Sequence, residues 1–316
     1  MTAFPALPED DYSVVYMEDT DRTLPKKILQ STRYTSFKTI ARGGKSIIKS
    51  CKDLHLGRVI CYKTLRPELQ EDPVEQRRFL REARVSAMLQ HPNTIPTYEV
   101  GRDPRGHYYF TMKFVHGHTL REILDSTEPD KTRRQVHILK EIAQALDYAH
   151  HHRVIHRDIK PENILVGPFG EVLLLDWGLA KVWTEEGNSV ELSEPGEIDP
   201  ETPVRSITGQ GNLQGTIEYM SPEQLKRDPE IDYRTDIYSL GAVLYEILAG
   251  QPPSVAQTVG EMTREICDVT PRKPSDIVGT GIPERLEEVA MQCISKDPLD
   301  RVQGCSDIVR ILSEGW

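Results

Sequence analysis

Between residues 156 and 178 the chain sets out carboxylates, an amide and a lysine at close, fixed spacing. The run is His156-Arg157-Asp158-Ile159-Lys160-Pro161-Glu162-Asn163, followed after an apolar stretch over 172–175 by Asp176-Trp177-Gly178. Aspartate and asparagine are hard oxygen donors of the kind divalent magnesium takes. An aspartate can also accept a proton from a reacting hydroxyl, and a lysine beside it can offset negative charge. A lone aspartate in such a place would be a solvated turn residue. It is the set, in this order, that argues for chemistry.

The first run resembles the catalytic loop of the protein kinase family, and Asp176-Trp177-Gly178 resembles its metal-binding D-F-G turn with Trp in place of Phe. The resemblance implies phosphoryl transfer from ATP, in which the γ-phosphate lies in line with an attacking hydroxyl and its charge is neutralised by metal and cations. On that basis Asp158 accepts or orients the hydroxyl proton. Asn163 and Asp176 hold Mg2+, with Mn2+ as the alternative ion, and Lys160 places a positive charge beside the transferring group. A lysine there accompanies serine/threonine specificity in the family. Ile60-Cys61-Tyr62-Lys63 resembles V-A-I-K, so Lys63 is expected to reach the α- and β-phosphates and to pair with Glu82 of Arg78-Phe79-Leu80-Arg81-Glu82-Ala83.

The match thins at the glycine-rich hairpin. Ile40-Ala41-Arg42-Gly43-Gly44-Lys45-Ser46-Ile47-Ile48 aligns with G-x-G-x-x-G-x-V, but Ala41 and Ser46 stand where the outer glycines would be. Glycine serves there because backbone amides approach phosphate closely and because φ can be positive. Nucleotide contacts are therefore expected from Ile40, Ala41, Gly43, Gly44, Ser46 and Ile48, with a stiffer hairpin and weaker binding. Gly44-Lys45-Ser46 also mimics the end of a Walker A loop, but Thr39 occupies its first glycine position and a strand follows where a helix is required. Around the adenine the resemblance places Cys61 above, Leu165 below, Met112 at the back pocket and Lys113 to Val115 as the hinge. Cys61 is expected to be a buried, unactivated thiol.

Other landmarks follow the same family. Ser221-Pro222-Glu223 resembles A-P-E, with Glu223 expected to pair with Arg301, and Asp236 is expected to anchor the catalytic loop from below. Gly215-Thr216 resembles the threonine beside the substrate. Arg157 implies a cationic pocket that takes an anion, either a phosphorylated residue or carboxylates from the acidic stretch; Ser206 and Thr208 are the candidates for autophosphorylation in trans. His150-His151-His152 suggests a metal, but consecutive residues on a helix point apart, and an exposed helix end is the expectation.

These groups need elements to carry them. Residues 34–65 are rich in β-branched side chains broken by Gly43-Gly44 and Leu56-Gly57, which predicts three antiparallel strands. A helix is predicted from Pro73 to Leu89, ended by His91-Pro92, and strands from Thr94 to Val100 and His107 to Phe114. Beyond Thr119 the helical period dominates, with helices at 136–150, 236–249 and 283–294. This is an α+β protein, and the resemblance makes it the two-lobed kinase fold. Its N-lobe would be a small antiparallel sheet with one main helix (34–115), and its C-lobe larger and mainly helical (116–316). Residues 1–33 read as a flexible extension. The stretch 184–204, acidic and without Lys or Arg, reads as an insertion in the activation segment.

Composition excludes some partners. Lys and Arg total 39 against 49 Asp and Glu, a net charge of -10, which disfavours nucleic acid. Five scattered cysteines without a C-x-x-C pair suit free thiols in a reducing compartment, and no apolar run reaches membrane-spanning length. A cytoplasmic location is therefore expected, and the kinase resemblance implies protein substrates. Wording such as Ser221-Pro222-Glu223-Gln224 looks most like bacterial kinases of eukaryotic type, in which the kinase domain often precedes other modules, so the chain is a candidate fragment of a longer protein. The rivals are a pseudokinase binding module, favoured by the altered glycine loop and Trp177, and a small-molecule kinase, disfavoured by Ser221-Pro222-Glu223 and Thr216.

Overall fold

In a computed structural model the described residues are 33–126, 132–182 and 217–314. Outside them lie 1–32, the acidic stretch 184–204, Ser206, Thr208, Gly215 and Thr216. The chain forms two compact units. The first holds the described residues of Met1–Gln90 with Ile95–Gly117 and Gly167–Gly170; the second holds His91–Thr94, His118–Val166 and the described residues of Glu171–Trp316.

The first unit is a five-stranded antiparallel sheet with one long helix. Strands β1 (Tyr34–Arg42), β2 (Ser46–Asp53), β3 (Arg58–Leu65), β4 (Thr97–Arg102) and β5 (Tyr108–Lys113) run in the order β1-β2-β3-β5-β4. Asp53 Oδ1 accepts the amides of His55 and Leu56, and Gly57 takes a left-handed φ of 64°, so the β2–β3 turn closes without strain. Residues opposite each other in register share a face. Lys63 therefore shares a face with Phe110, and Cys61 with Met112. Helix α1 (Pro73–Met88) meets that face through Phe79, whose ring centroid is 5.0 Å from that of Phe110. Asp72 caps the helix by accepting the amides of Val74 and Glu75, and Pro73 at the first turn needs no amide partner.

The sequence predicts the fourth strand from Thr94, but it begins at Thr97. Thr94 instead closes a turn, its amide and hydroxyl both donating to His91 O at 3.0 and 2.9 Å. It then bridges to Leu174 in the second unit.

The second unit is mainly helical. Short strands β6 (His118–Thr119), β7 (Val154–Ile155), β8 (Ile164–Val166), β9 (Val172–Leu174) and β10 (Lys181–Val182) form two small sheets. The helices are α2 (Leu120–Asp125), α3 (Thr132–His151), α4 (Pro222–Leu225), α5 (Arg234–Ala249), α6 (Val259–Asp268), α7 (Ser275–Val278), α8 (Glu284–Cys293) and α9 (Cys305–Ser313). Helix α3 buries Val136, Leu139, Ile142, Ala143, Leu146 and Ala149, the stripe its spacing predicts. Helix α5 is buried on every side from Thr235 to Ala249, which makes it the central core helix. Each fully buried Leu, Ile or Val there stabilises by about 1.5–3 kcal/mol.

Two features of this core carry tests. A Cβ on Gly241 of α5 would lie 2.3 Å from Cys293 Cβ of α8. Gly241→Ala gains about 1 kcal/mol of helix propensity but overpacks a core contact, which costs about 1–3 kcal/mol. A lowered urea midpoint is the expected net result, and a raised one would contradict this packing. The second feature is Arg301, which is 1% exposed and meets Glu223 through two bonds, Nη1 to Oε1 at 2.6 Å and Nη2 to Oε2 at 2.8 Å. It also donates to the carbonyls of Ser295, Arg234 and Lys296. Arg301→Ala strands a buried carboxylate and three acceptors, so denaturation should show a loss of about 3–5 kcal/mol.

Candidate active site

In the first unit, β3 and α1 bring Lys63 and Glu82 together. Lys63 Nζ donates to Glu82 Oε1 at 2.5 Å, and the two residues are 6% and 9% exposed. A lysine this buried stays charged only with a partner. The pair holds its ammonium 5.6 Å from the centre of the Phe110 ring. Cys61, one residue earlier and facing Met112 across the strands, is 6% exposed, and burial pushes its thiol up to about 12. It is almost wholly a neutral thiol at ordinary pH, as expected. Met112 is buried, while Lys113 and Val115 are partly exposed. The Lys113 amide already donates to Pro96 O at 2.9 Å, so a hinge amide offered to a ligand must come from its neighbours.

The β1–β2 hairpin carries Ile40, Ala41, Gly43 and Gly44 on its exposed part, with Ser46 and Ile48 partly covered. The Gly43 amide donates to Ser46 O at 2.9 Å, which puts Gly44 and Lys45 at the tip. One expectation needs correcting here. Gly43 does not have a positive φ, and a Cβ on it would meet nothing closer than Ser46 O at 3.7 Å. The chain's own backbone does not demand glycine at this position.

In the second unit, Asp158, Lys160 and Asn163 form one hydrogen-bonded group. Lys160 Nζ donates to both Asp158 carboxylate oxygens, at 2.9 and 2.8 Å. Asn163 Nδ2 donates to Asp158 O at 2.8 Å and to Asp158 Oδ2 at 2.9 Å. With both amide hydrogens used, Asn163 has Oδ1 to offer a cation. Burial raises the Asp158 carboxyl above its ordinary value; Lys160 opposes the rise and the charge of nearby Asp176 adds to it.

Asp176 is exposed and sits at φ 60°, a left-handed conformation that aspartate tolerates, with Oδ1 accepting the Gly178 amide. Asn163 and Asp176 are too few to cage an ion, but they suit magnesium, which keeps several waters and takes its remaining oxygens from phosphate. Leu165 lies on β8, opposite Leu173 of β9 and partly exposed.

The loop is held from beneath by Asp236 on α5, which is fully buried. Its Oδ2 accepts the His156 amide and its Oδ1 the Arg157 amide, both at 2.8 Å. This fixes Arg157 at φ 66°, an unusual backbone for a long side chain. Burial alone would raise the Asp236 carboxyl, but the bond and charge of His150, with the His156 amide, hold it below the ordinary range. His156 is itself fully buried: its Nε2 meets Leu175 O at 2.9 Å and its Nδ1 accepts the Asp158 amide at 3.2 Å. Those partners require the neutral ring with its proton on Nε2. Trp177, 1% exposed, packs edge-on against that ring at 4.6 Å between centroids. Arg157 Nε donates to Leu179 O at 2.7 Å.

Two contributors escape sequence reasoning. His150 is not an exposed helix end, as expected of the histidine run: its Nε2 lies 2.8 Å from Asp236 Oδ2, while only His151 and His152 face solvent. The helical turn at 150 points this one ring inward. Arg121 of α2 braces the turn that carries Asn163. It donates to Glu162 Oε1 at 3.0 Å and to Glu246 Oε1 of α5 at 2.7 Å, and it bonds Tyr219 OH. Its partners are 41 and 125 residues away, and no spacing signal links them.

Comparison with known proteins agrees with this geometry. The family model "Protein kinase domain" matches residues 34–314. Two mycobacterial proteins named "Serine/threonine-protein kinase PknB" are similar over 288 residues, covering 89% of this chain and 43% of each relative. That of Mycolicibacterium smegmatis is 35% identical and that of Mycobacterium tuberculosis 33%. "Serine/threonine-protein kinase PknD" of Protochlamydia amoebophila is 34% identical over 297 residues, covering 89% of this chain and 30% of its own length. The chain thus spans less than half the length of these relatives. Among the described residues, no helix is long and apolar enough to cross a membrane. With the family match running through both units and every motif described above, the chain belongs to the protein kinase domain family.

Proposed function

We propose that this chain transfers the γ-phosphoryl group of ATP to serine and threonine hydroxyls of protein substrates. The observation that carries the reading is the Asp158 carboxylate, gripped by Lys160 and Asn163 in a loop fixed by Asp236. In this reading Asp158 orients the acceptor hydroxyl and takes its proton, and Lys160 balances charge on the group in transfer. Lys63, kept extended by Glu82, binds the α- and β-phosphates. Asn163 Oδ1 and the Asp176 carboxylate would hold Mg2+, which when bound supplies charge neutralisation to the phosphates. Ile40, Ala41, Gly43, Gly44, Ser46 and Ile48 cover the nucleotide in this scheme, and Cys61, Met112, Lys113, Val115 and Leu165 enclose the adenine.

Ala41 and Ser46, in place of the outer glycines, and Trp177 favour a second reading: a pseudokinase scaffold or binding module with weak or no transfer activity. Radiolabelled ATP with a protein acceptor, with and without magnesium, separates the two. Asp158→Asn should lower magnesium-dependent transfer by about 10²–10⁴-fold. A wild type that transfers no label, or an Asp158→Asn variant as active as wild type, would sink the first reading. Autophosphorylation in trans is proposed at Ser206 or Thr208. After incubation with ATP, mass spectrometry should find phosphate on one of them, and a catalytically dead chain mixed with active enzyme should acquire it as well.

A further inference from the structure

The tip of the β1–β2 hairpin is tied to helix α1 by charge. Lys45 Nζ lies 2.8 Å from Glu75 Oε1, and the same oxygen accepts Arg78 Nη1 at 2.8 Å. This is not an ordinary surface pair, which is worth about 0–1 kcal/mol. The Glu75 side chain is 10% exposed, and Lys45 and Arg78 are 28% and 14% exposed. Both cations converge on one covered oxygen, so the contact has little water to compete with it. The Lys45 backbone is fixed too, since its carbonyl accepts the Arg66 amide at 2.9 Å.

Position on the helix gives the tie its meaning. Glu75 and Glu82 are seven residues apart, two turns on one face of α1 and about 10 Å along its axis. One rigid helix therefore grips the hairpin tip at its first turn and Lys63 two turns later. Glycine-rich hairpins gain close approach from small residues. This one has Ala41 and Ser46 where the pattern has its outer glycines, and it has a side-chain anchor.

We infer that Lys45 is a positioning residue: through Glu75 it fixes the hairpin over the nucleotide to the same helix that orients Lys63, so that both move as one body. The inference rests on the nucleotide reading proposed above for the hairpin, but the tie itself exists without nucleotide.

The test is a double-mutant cycle of Lys45→Met and Glu75→Gln, with Lys45→Arg as the conservative variant. In nucleotide-free protein, hydrogen exchange at the Gly43 and Arg66 amides should quicken about three- to tenfold in either single variant, no further in the double, and little in Lys45→Arg. Unchanged exchange in the α5 amides serves as the internal check that the fold is intact. With ATP, KM should rise by a similar factor in both single variants while kcat changes less, and the two effects should not add. Additive effects would overturn the proposal. So would hairpin exchange at the wild-type rate, or a raised KM in Lys45→Met with none in Glu75→Gln, which would make Lys45 a direct phosphate ligand. A wild type that binds no nucleotide by calorimetry would defeat the functional reading, yet the exchange arm would still decide the tie.

Discussion

One buried carboxylate sets the geometry of the loop that carries Asp158. Asp236 accepts two consecutive backbone amides, those of His156 and Arg157, and pairs with His150 from a neighbouring helix. Arg157 sits in the left-handed region while its amide and that of His156 turn toward this one carboxylate. The next residue in the chain is Asp158, so this backbone anchor works together with the grip of Lys160 and Asn163 on its carboxylate. Because α5 is buried on all sides, the acceptor cannot shift to accommodate a loosened loop.

The same device recurs at other buried charges among the described residues. Arg301 with Glu223, Arg121 with Glu246, and Asp236 with its amides are each held by several hydrogen bonds from separate elements, and Lys63 Nζ donates to Glu82 Oε1 at 2.5 Å. An ionised group taken from water costs several kcal/mol unless so compensated. The arrangement therefore penalises alternative packings more than it stabilises the native one. Residues that would be weak surface pairs elsewhere tie together strands, loops and helices far apart in the chain.

How much of this was legible in the sequence depended on range. Groups set by local spacing could be read directly: Asp158 with Lys160 and Asn163, and the apolar stripe of α3, whereas the Asp72 cap of α1 came from the structure. The Glu223–Arg301 pair was legible only through family resemblance, since 78 residues separate its members. His150 and Arg121 were not legible, because their roles depend on which way one helical turn faces and on partners brought close only by the fold. The fourth strand was placed three residues early because the β-branched pair Thr94-Ile95 resembles a strand start. The turn at His91 captures Thr94 first, a competition that propensity does not weigh.

Gly43 shows a different kind of constraint. Its backbone angle is ordinary, and the space beside it would admit a methyl group without collision. Most residues described above are dictated by neighbours within the polypeptide, so folding and activity select them together. At this position the two pressures part. An alanine would shift a thermal melt little, and on the nucleotide reading proposed above its penalty would fall on the approach of phosphate to the peptide plane.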